Sequence, residues 1–327
     1  MNYRDFVLGR GHTSDWAYSL SLAATWAWGV SIVVGTQIMQ QKGLGAFVVW
    51  ATANTIALTT FGALARHSRH GVHVGDVWGP RSKGGVILSI LAAVVQWFSL
   101  LVNLTALRLG LTMLGLGEHA WLVACGISVI HVLRGGFTTS VKVNIAQYSM
   151  WMLALIATVI AGRWGPLTAT QSAPQDLQWA YYGALILLAA PFVDQQLWQR
   201  RFALGQHPNI KPFILGSVLF GVYMVLVGLT ASMAVPKWLT GVVIILVATS
   251  TLDSAISAIT CWANSVRRGR VVALAACIVA ALVVLLEIPI ITIWTAYGTM
   301  RLPFAAAVVW RLCREAIHNH KRRGDAH

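Results

Sequence analysis

Charge is what this 327-residue sequence lacks: Asp and Glu together number 10, and all charged residues make up only 10% of the chain. Soluble domains average about 25% charged residues. The shortage excludes a secreted, cytosolic or nucleic-acid-binding globule. With so little acid, no nucleophile–base pair or metal cluster can be assembled from neighbouring residues, which argues against an enzyme. Cysteine is scarce as well. Cys125, Cys261, Cys277 and Cys313 lie in or beside apolar stretches without metal-ligand spacing, so they read as buried thiols. Low-complexity linkers are absent, which leaves 1–327 as a single domain. Met1 to Trp16 contains Arg4, Asp5, Arg10 and Asp15 and has no apolar core segment, so it does not read as a cleaved signal peptide.

What the sequence has in abundance is apolar length: 57% of its residues are hydrophobic. Hydrocarbon about 30 Å thick needs roughly 20 mostly apolar residues per helix. Apolar runs between charged or Gly/Pro breaks predict helices over 16–39, 45–65, 85–113, 119–133, 138–161, 178–198, 212–235, 239–264, 271–288 and 290–312. This is the pattern of an all-α polytopic membrane protein with about ten transmembrane helices, its first partner being the lipid bilayer.

The formal charge of +14 is explained by position. Of 24 Lys and Arg residues, 19 fall on one side of the predicted spans and only Lys42, Arg163 and Lys237 on the other. Arg108 and Arg301 lie within spans. By the positive-inside tendency the 19-residue side is cytoplasmic, both termini with it, and the cell (inner) membrane is the expected location. Basic residues in short loops at helix ends do not make a nucleic-acid surface, so no nucleic-acid partner is expected. The loop with His67, His70 and His73 reads as solvated, because only Asp76 joins it as a further ligand. The sequon Asn103-Leu104-Thr105 lies inside the third span and is discounted.

Ionisable groups inside hydrocarbon are costly and face a cavity or a partner. In the eighth span, Thr249-Ser250-Thr251-Leu252-Asp253-Ser254 concentrates hydroxyls and one carboxylate. Single hydroxyls in membrane helices bond back to their own backbone, but this cluster goes further and suits a hard cation such as sodium. In the sixth span Pro191 interrupts the helix before Asp194-Gln195-Gln196. Asp194 either lines a cavity or pairs with Arg200 or Arg201. Arg301, midway along the tenth span, is suited to a carboxylate. That carboxylate is either a solute's or an internal partner's, with Asp253 and Glu287 as candidates. Arg108 stands nearer the outer face.

These residues converge on a family. Asp5-Phe6-Val7-Leu8-Gly9-Arg10 with Ser19-Leu20-Ser21-Leu22-Ala23-Ala24-Thr25-Trp26 resembles the FFLAGR and SLAAT-W segments that open the core of the sodium:solute symporter family. Gly135-Gly136-Phe137 with Asn144 and Gln147 is similar to that family's GGL-x6-D-x2-Q. Trp198-Gln199-Arg200 resembles its WQR, and Ser250-Thr251-Leu252-Asp253-Ser254 its STADS. The motifs occur in family order across nearly the whole chain. The resemblance implies a LeuT-type fold: two inverted five-helix repeats, here about 16–162 and 177–312, with helices one and six broken near the midplane. The chain looks like the bare ten-helix core of the family.

The resemblance also implies a sodium site made of Ser250, Thr251, the carbonyl of Val247, and helix-one carbonyls at Thr25 and Trp28. The solute would sit against Ser31 or Gln37, Gln96 or Asn103, Asp194 and Arg301. Asn144 stands where the family commonly has an acid, so Asp253 is expected to supply the charge of any second cation or coupling site. Lys142 offers proton coupling instead, although its position near a helix end also suits snorkelling. The expected function is a secondary-active symporter coupling sodium to uptake of a small organic solute, carboxylate or zwitterionic. The alternatives are a proton-coupled transporter of the same fold, and a non-transporting membrane solute sensor or partner subunit; a homo-oligomer or a membrane partner subunit is the expected protein partner.

Overall fold

The computed structural model describes residues 2–9, 14–68, 71–78, 82–164, 172–205, 209–263 and 265–324. Arg10, Arg69, His70 and Arg81 lie outside the described residues. The α-helices run α1 Tyr3–Leu8, α2 Asp15–Trp26, α3 Gly29–Ala65, α4 Lys83–Met113, α5 Ala120–Ala161, α6 Pro174–Ala189, α7 Gln195–Ala203, α8 Lys211–Ala231, α9 Lys237–Ile259, α10 Val266–Val284 and α11 Ile290–Gly324. A two-residue antiparallel pair, β1 Arg163–Trp164 with β2 Met233–Ala234, ties two connectors together.

Five of these elements, α3, α4, α5, α8 and α9 (the last extended to Trp262), are long and apolar enough to cross a membrane by themselves. Two of them are double length. At about 1.5 Å per residue, the 37 residues of α3 and 42 of α5 far exceed the hydrocarbon thickness. Each is folded at a glycine of positive φ, Gly43 (φ 85°) and Gly136 (φ 63°), which yields two spans apiece. A side chain at Gly136 would also place its Cβ 2.4 Å from the Phe6 carbonyl oxygen, so only glycine fits there. With α2 joined to the first part of α3, α6 joined to α7, and α10 and α11, ten spans result. The predicted loop around Gly135 is thus a kink between the fourth and fifth spans.

The eighth span is the centre of the bundle: 78% of its most apolar window is buried, against 33% for α5. It packs between α4 and α5, while α3 packs with α6 and α8. Ile87, Ile90, Val123, Ile127, Leu153, Ile160, Val271 and Leu282 are exposed. Such faces are unsuited to water and natural against lipid. The molecule is an integral membrane protein.

Two expectations change. Arg200 and Arg201 are not in a loop: both are fully buried within α7. Removing them from the basic side leaves seventeen of its nineteen residues. Arg201 instead caps other elements, donating to the carbonyls of Ala65 (2.8 Å), Ser68 (3.1 Å), Arg66 (3.4 Å) and Gly205 (3.0 Å). It holds the end of the second span against the sixth. Cys125, Cys261 and Cys277 are buried, but Cys313 is exposed on α11, because its stretch packs only one face inward.

Candidate functional site

The first span is interrupted at Ala27 (ψ 90°) and Trp28 (ψ 147°), between α2 and α3. The sixth is interrupted by the 3-10 turn Ala190–Phe192 and by Val193 and Asp194, where Pro191 cannot donate a helical hydrogen bond. Helix ends inside a membrane leave backbone groups that need partners. Those needs organise the site. The Asn103 carboxamide oxygen accepts from the Gly29 amide (3.4 Å), and the Trp28 carbonyl accepts from the Ser31 amide (2.8 Å). Gly29 crosses α9 and α4 so closely that an added Cβ would lie 2.7 Å from that of Ala248 and 3.0 Å from that of Ala106.

On the α9 flank of this break, the Thr251 hydroxyl donates to the carbonyl of Ala27 (2.8 Å) and lies 3.2 Å from that of Val247. The helix-one carbonyl brought to Thr251 is therefore Ala27's, one residue before Trp28. The Thr25 hydroxyl lies one layer away, 3.1 Å from that of Ser254. Asn144 joins this layer. With its amide oriented to satisfy both ends, its oxygen accepts from the Ser254 hydroxyl and Arg200 Nη2, both at 2.8 Å. Its nitrogen then donates to the carbonyls of Ser250 (3.1 Å) and Ser140 (3.2 Å). Gln147, three residues on, donates to the Thr249 hydroxyl at 3.3 Å.

Arg200 is the residue that sequence reasoning missed. Its Nε donates to the Ser21 hydroxyl (3.1 Å) and its Nη2 to that of Ser254 (3.1 Å), so a guanidinium lies beside Asn144. A basic pair at a span's end normally snorkels to water, so the letters marked Arg200 only as part of the WQR-like motif and as a candidate partner of Asp194, not as a member of this layer. Lys142 is exposed and turned away from this layer. Asp253 is buried on α9, and its Oδ1 has no protein partner among the described residues.

The α11 flank differs. Trp26, Trp28, Ser31, Trp50, Asn54, Trp294 and Arg301 line a narrow cleft with a free volume of about 20 Å³. Arg301 is buried, its guanidinium lying over the Tyr297 ring at 3.8 Å and over Trp28 at 5.7 Å. Neither internal partner considered for it holds it. Glu287 pairs with Arg108 at 2.5 Å, near the end of the third span, and Asp253 makes no ion pair with Arg301 among the described residues. Asp194 caps α7 through the Gln196 amide (2.9 Å) and makes no hydrogen bond with Arg200 or Arg201. Its Oδ2 is unpartnered. Gln96 is fully buried with neither amide atom bonded, one helical turn before Ser99, whose hydroxyl accepts from Gln196 Nε2 at 2.9 Å. Ser31 and Arg301 are thus brought to one cleft. Gln96, Asn103 and Asp194 stand around the breaks, while Gln37 is half-buried and does not line the cleft.

The side bearing α1 is tied together by hydrogen bonds. Tyr3 donates to the carbonyls of Thr260 (3.0 Å) and Cys261 (2.9 Å), and Gln199 donates to that of Val7 at 2.5 Å. Nearby, Asp76 accepts from the amides of Val72 (2.7 Å) and His73 (3.1 Å). Burial holds the His73 imidazole below its ordinary range, with Asp76 pulling weakly the other way. Among the described residues no three metal-ligating side chains group together.

No protein-family model and no curated protein sequence matches this chain. Its structure is similar to that of a sodium-coupled sialic acid symporter, solved substrate-bound and outward-open and reported to reveal a novel sodium site. The TM-score is 0.65 at 12% identity, over 95% of this chain and 80% of that one. It is also similar to Mhp1, a nucleobase-cation-symport-1 family transporter, solved in a closed conformation with bromovinylhydantoin bound. There the TM-score is 0.60 at 15% identity, over 93% of this chain and 79% of that one. The class of protein is thereby defined: an all-α polytopic membrane protein with the LeuT-type fold. At these identities the likeness extends to the fold.

Proposed function

We propose that the chain is a secondary-active symporter, coupling inward movement of sodium to uptake of a small organic solute by alternating access. One observation carries the reading: at a single helix break, the Thr251 hydroxyl meets the carbonyls of Ala27 and Val247. Hydroxyl and carbonyl oxygens are the donors a hard cation prefers. Sodium would take these three oxygens with the Ser250 hydroxyl and a further carbonyl from the last turn of α2, where Thr25 stands. The solute would occupy the adjoining cleft at Ser31 and Arg301, with Gln96, Asn103 and Asp194 shaping its inner end. Trp28 joins the two sites, since its backbone follows the cation locus and its ring walls the cleft.

Coupling follows from that shared break. An ion that fastens α2 to α9 and a solute that fastens α3 to α11 favour the same arrangement of the first span. A ligand with equal affinity for both arrangements would shift nothing. Asn144 and Arg200 place a fixed positive charge where a second cation would otherwise need a carboxylate, which leaves Asp253 as the acid of any second coupling site. The seventeen basic residues that remain on one side support cytoplasmic termini in a cell membrane. The interruptions in the first and sixth spans support repeats at about 16–162 and 177–312.

The test is uptake into proteoliposomes from a solute panel under separate sodium and proton gradients. Sodium should drive accumulation, and Ser250→Ala and Thr251→Ala should each raise the sodium requirement at least tenfold. Undiminished sodium stimulation in both variants would remove the assigned site. Accumulation driven by protons alone would replace sodium as the coupling ion.

A further inference from the structure

We propose that the solute is a small monocarboxylate on a flat aromatic body, bound with its acid group on Arg301. This rests on the symport reading for the purpose of the site and deepens it by naming the substrate class. Polar chemistry comes first. The buried unpartnered polar atoms of the cleft's lining side chains are Trp28 Nε1, Trp50 Nε1 and Arg301 Nε, and each of them donates. Tyr297 Oη, next to Arg301, also has no partner. Buried donors without acceptors cost about 1–3 kcal/mol each. A ligand rich in acceptors relieves that cost, and a carboxylate is the most compact one. No carboxylate is among the residues lining the cleft itself, and the nearest acid, Asp194, stands at its inner end. Asp194, the acid that Arg301 feels electrostatically, makes no ion pair with it among the described residues.

Geometry supplies the rest. The guanidinium carbon lies 3.8 Å from the centre of the Tyr297 ring and Nε has no protein partner, which leaves a fork of donors suited to a carboxylate. The Trp28 ring stacks on Tyr297 with centroids 5.4 Å apart and planes at 29°, and Trp26 meets Trp28 edge-on at 6.3 Å. With Trp50 and Trp294 also among the lining residues, the walls are rich in ring surface, which aromatic partners fill best. Trp26 already spends its own N–H on the Asn54 carbonyl (2.9 Å), which fixes that wall. The free volume between these walls is about 20 Å³, far below the roughly 300 Å³ of an open ligand pocket, so the walls part to admit the solute. A small solute, a single or fused ring with a short acid arm, asks least of them. A quaternary ammonium would also suit tryptophan faces, but here it would meet a guanidinium and a set of donors.

The probes are benzoate and indole-3-acetate, with benzamide, acetate and glycine betaine as controls. They are added to the full chain in detergent and followed by tryptophan fluorescence and thermal unfolding. Both aryl acids should bind at least tenfold more tightly than benzamide, acetate or betaine and should raise the unfolding temperature. Arg301→Gln should abolish the preference for benzoate over benzamide, and Arg301→Lys should restore part of it. Should Arg301→Gln not fold, Trp50→Phe keeps the ring and removes one donor. That variant should weaken the aryl acids several-fold and leave benzamide unchanged. Equal binding of benzamide, tighter binding of acetate or betaine, or a preference that survives both substitutions would overturn the proposal. Because the readout is binding, Arg301-dependent binding without sodium-driven uptake would remove the symport reading and keep this one. Sodium-driven uptake of another solute with no aryl acid binding would do the reverse.

Discussion

The two flanks of the first-span break are built from similar materials and finished differently. On the α9 side, Thr25, Asn144, Arg200, Ser250, Thr251 and Ser254 exchange hydrogen bonds with one another and with broken-helix carbonyls. On the α11 side, Trp28, Trp50, Tyr297 and Arg301 keep donors that no protein atom meets. A closed network rigidifies and holds its geometry. Unmet buried donors raise the energy of the empty protein and reward a ligand that meets them. The contrast separates a locus that positions a small ion from one that waits for a polar solute.

The largest loss of function should come from Gly29→Val, because this residue lies where both flanks meet. Its new side chain must displace Ala248 and Ala106, an overpacking that costs about 1–3 kcal/mol. Uptake and its sodium stimulation should disappear together while folded protein is still recovered. Retention of either property would mean that the two flanks are not joined through the break. Next is Arg201→Met, which frees four carbonyls and unties the second span from the sixth. A loss of about 2–4 kcal/mol in unfolding free energy is expected, given the strength of charge-assisted bonds, with both ligand affinities only weakly changed.

Thr251→Val is the sharper probe of the closed flank. It keeps the shape, removes the hydroxyl, and should raise the half-saturating sodium concentration at least tenfold, or about 1.4 kcal/mol. Affinity for the solute measured without sodium should stay within twofold; a parallel loss would merge the two sites. Last comes Glu287→Gln at the pair with Arg108. That carboxylate is 70% exposed, so stability should change by no more than about 1 kcal/mol and uptake should be unaffected.

Much of this was legible in the letters. The eighth-span cluster Ser250–Ser254 and the lone Arg301 stood out because hydrocarbon tolerates so little polarity, and both lie at the break. The spans were legible for the same reason. Gly136 read as part of a loop because nothing local distinguishes a kink between two spans from a short connector. Arg200 and Arg201 were misread because their burial depends on carbonyls and hydroxyls of α2, α3 and α9, supplied from distant parts of the chain. The carbonyl of Ala27, which lies between Thr25 and Trp28, meets Thr251 because register at an unwound segment is set by what packs against it.

The sequence by itself determined that the chain lives in a membrane, how many times it crosses, and which few charges must be accounted for. The transfer cost of each residue into hydrocarbon acts locally and can be summed along the chain. Only the tertiary structure decided which of those charges are satisfied. Asn144 and Arg200 share a closed layer and Glu287 takes Arg108, whereas Arg301 is left over an aromatic ring with donors unmet. Hydrogen-bond satisfaction depends on which helices meet at the two breaks, and no window of sequence contains that information.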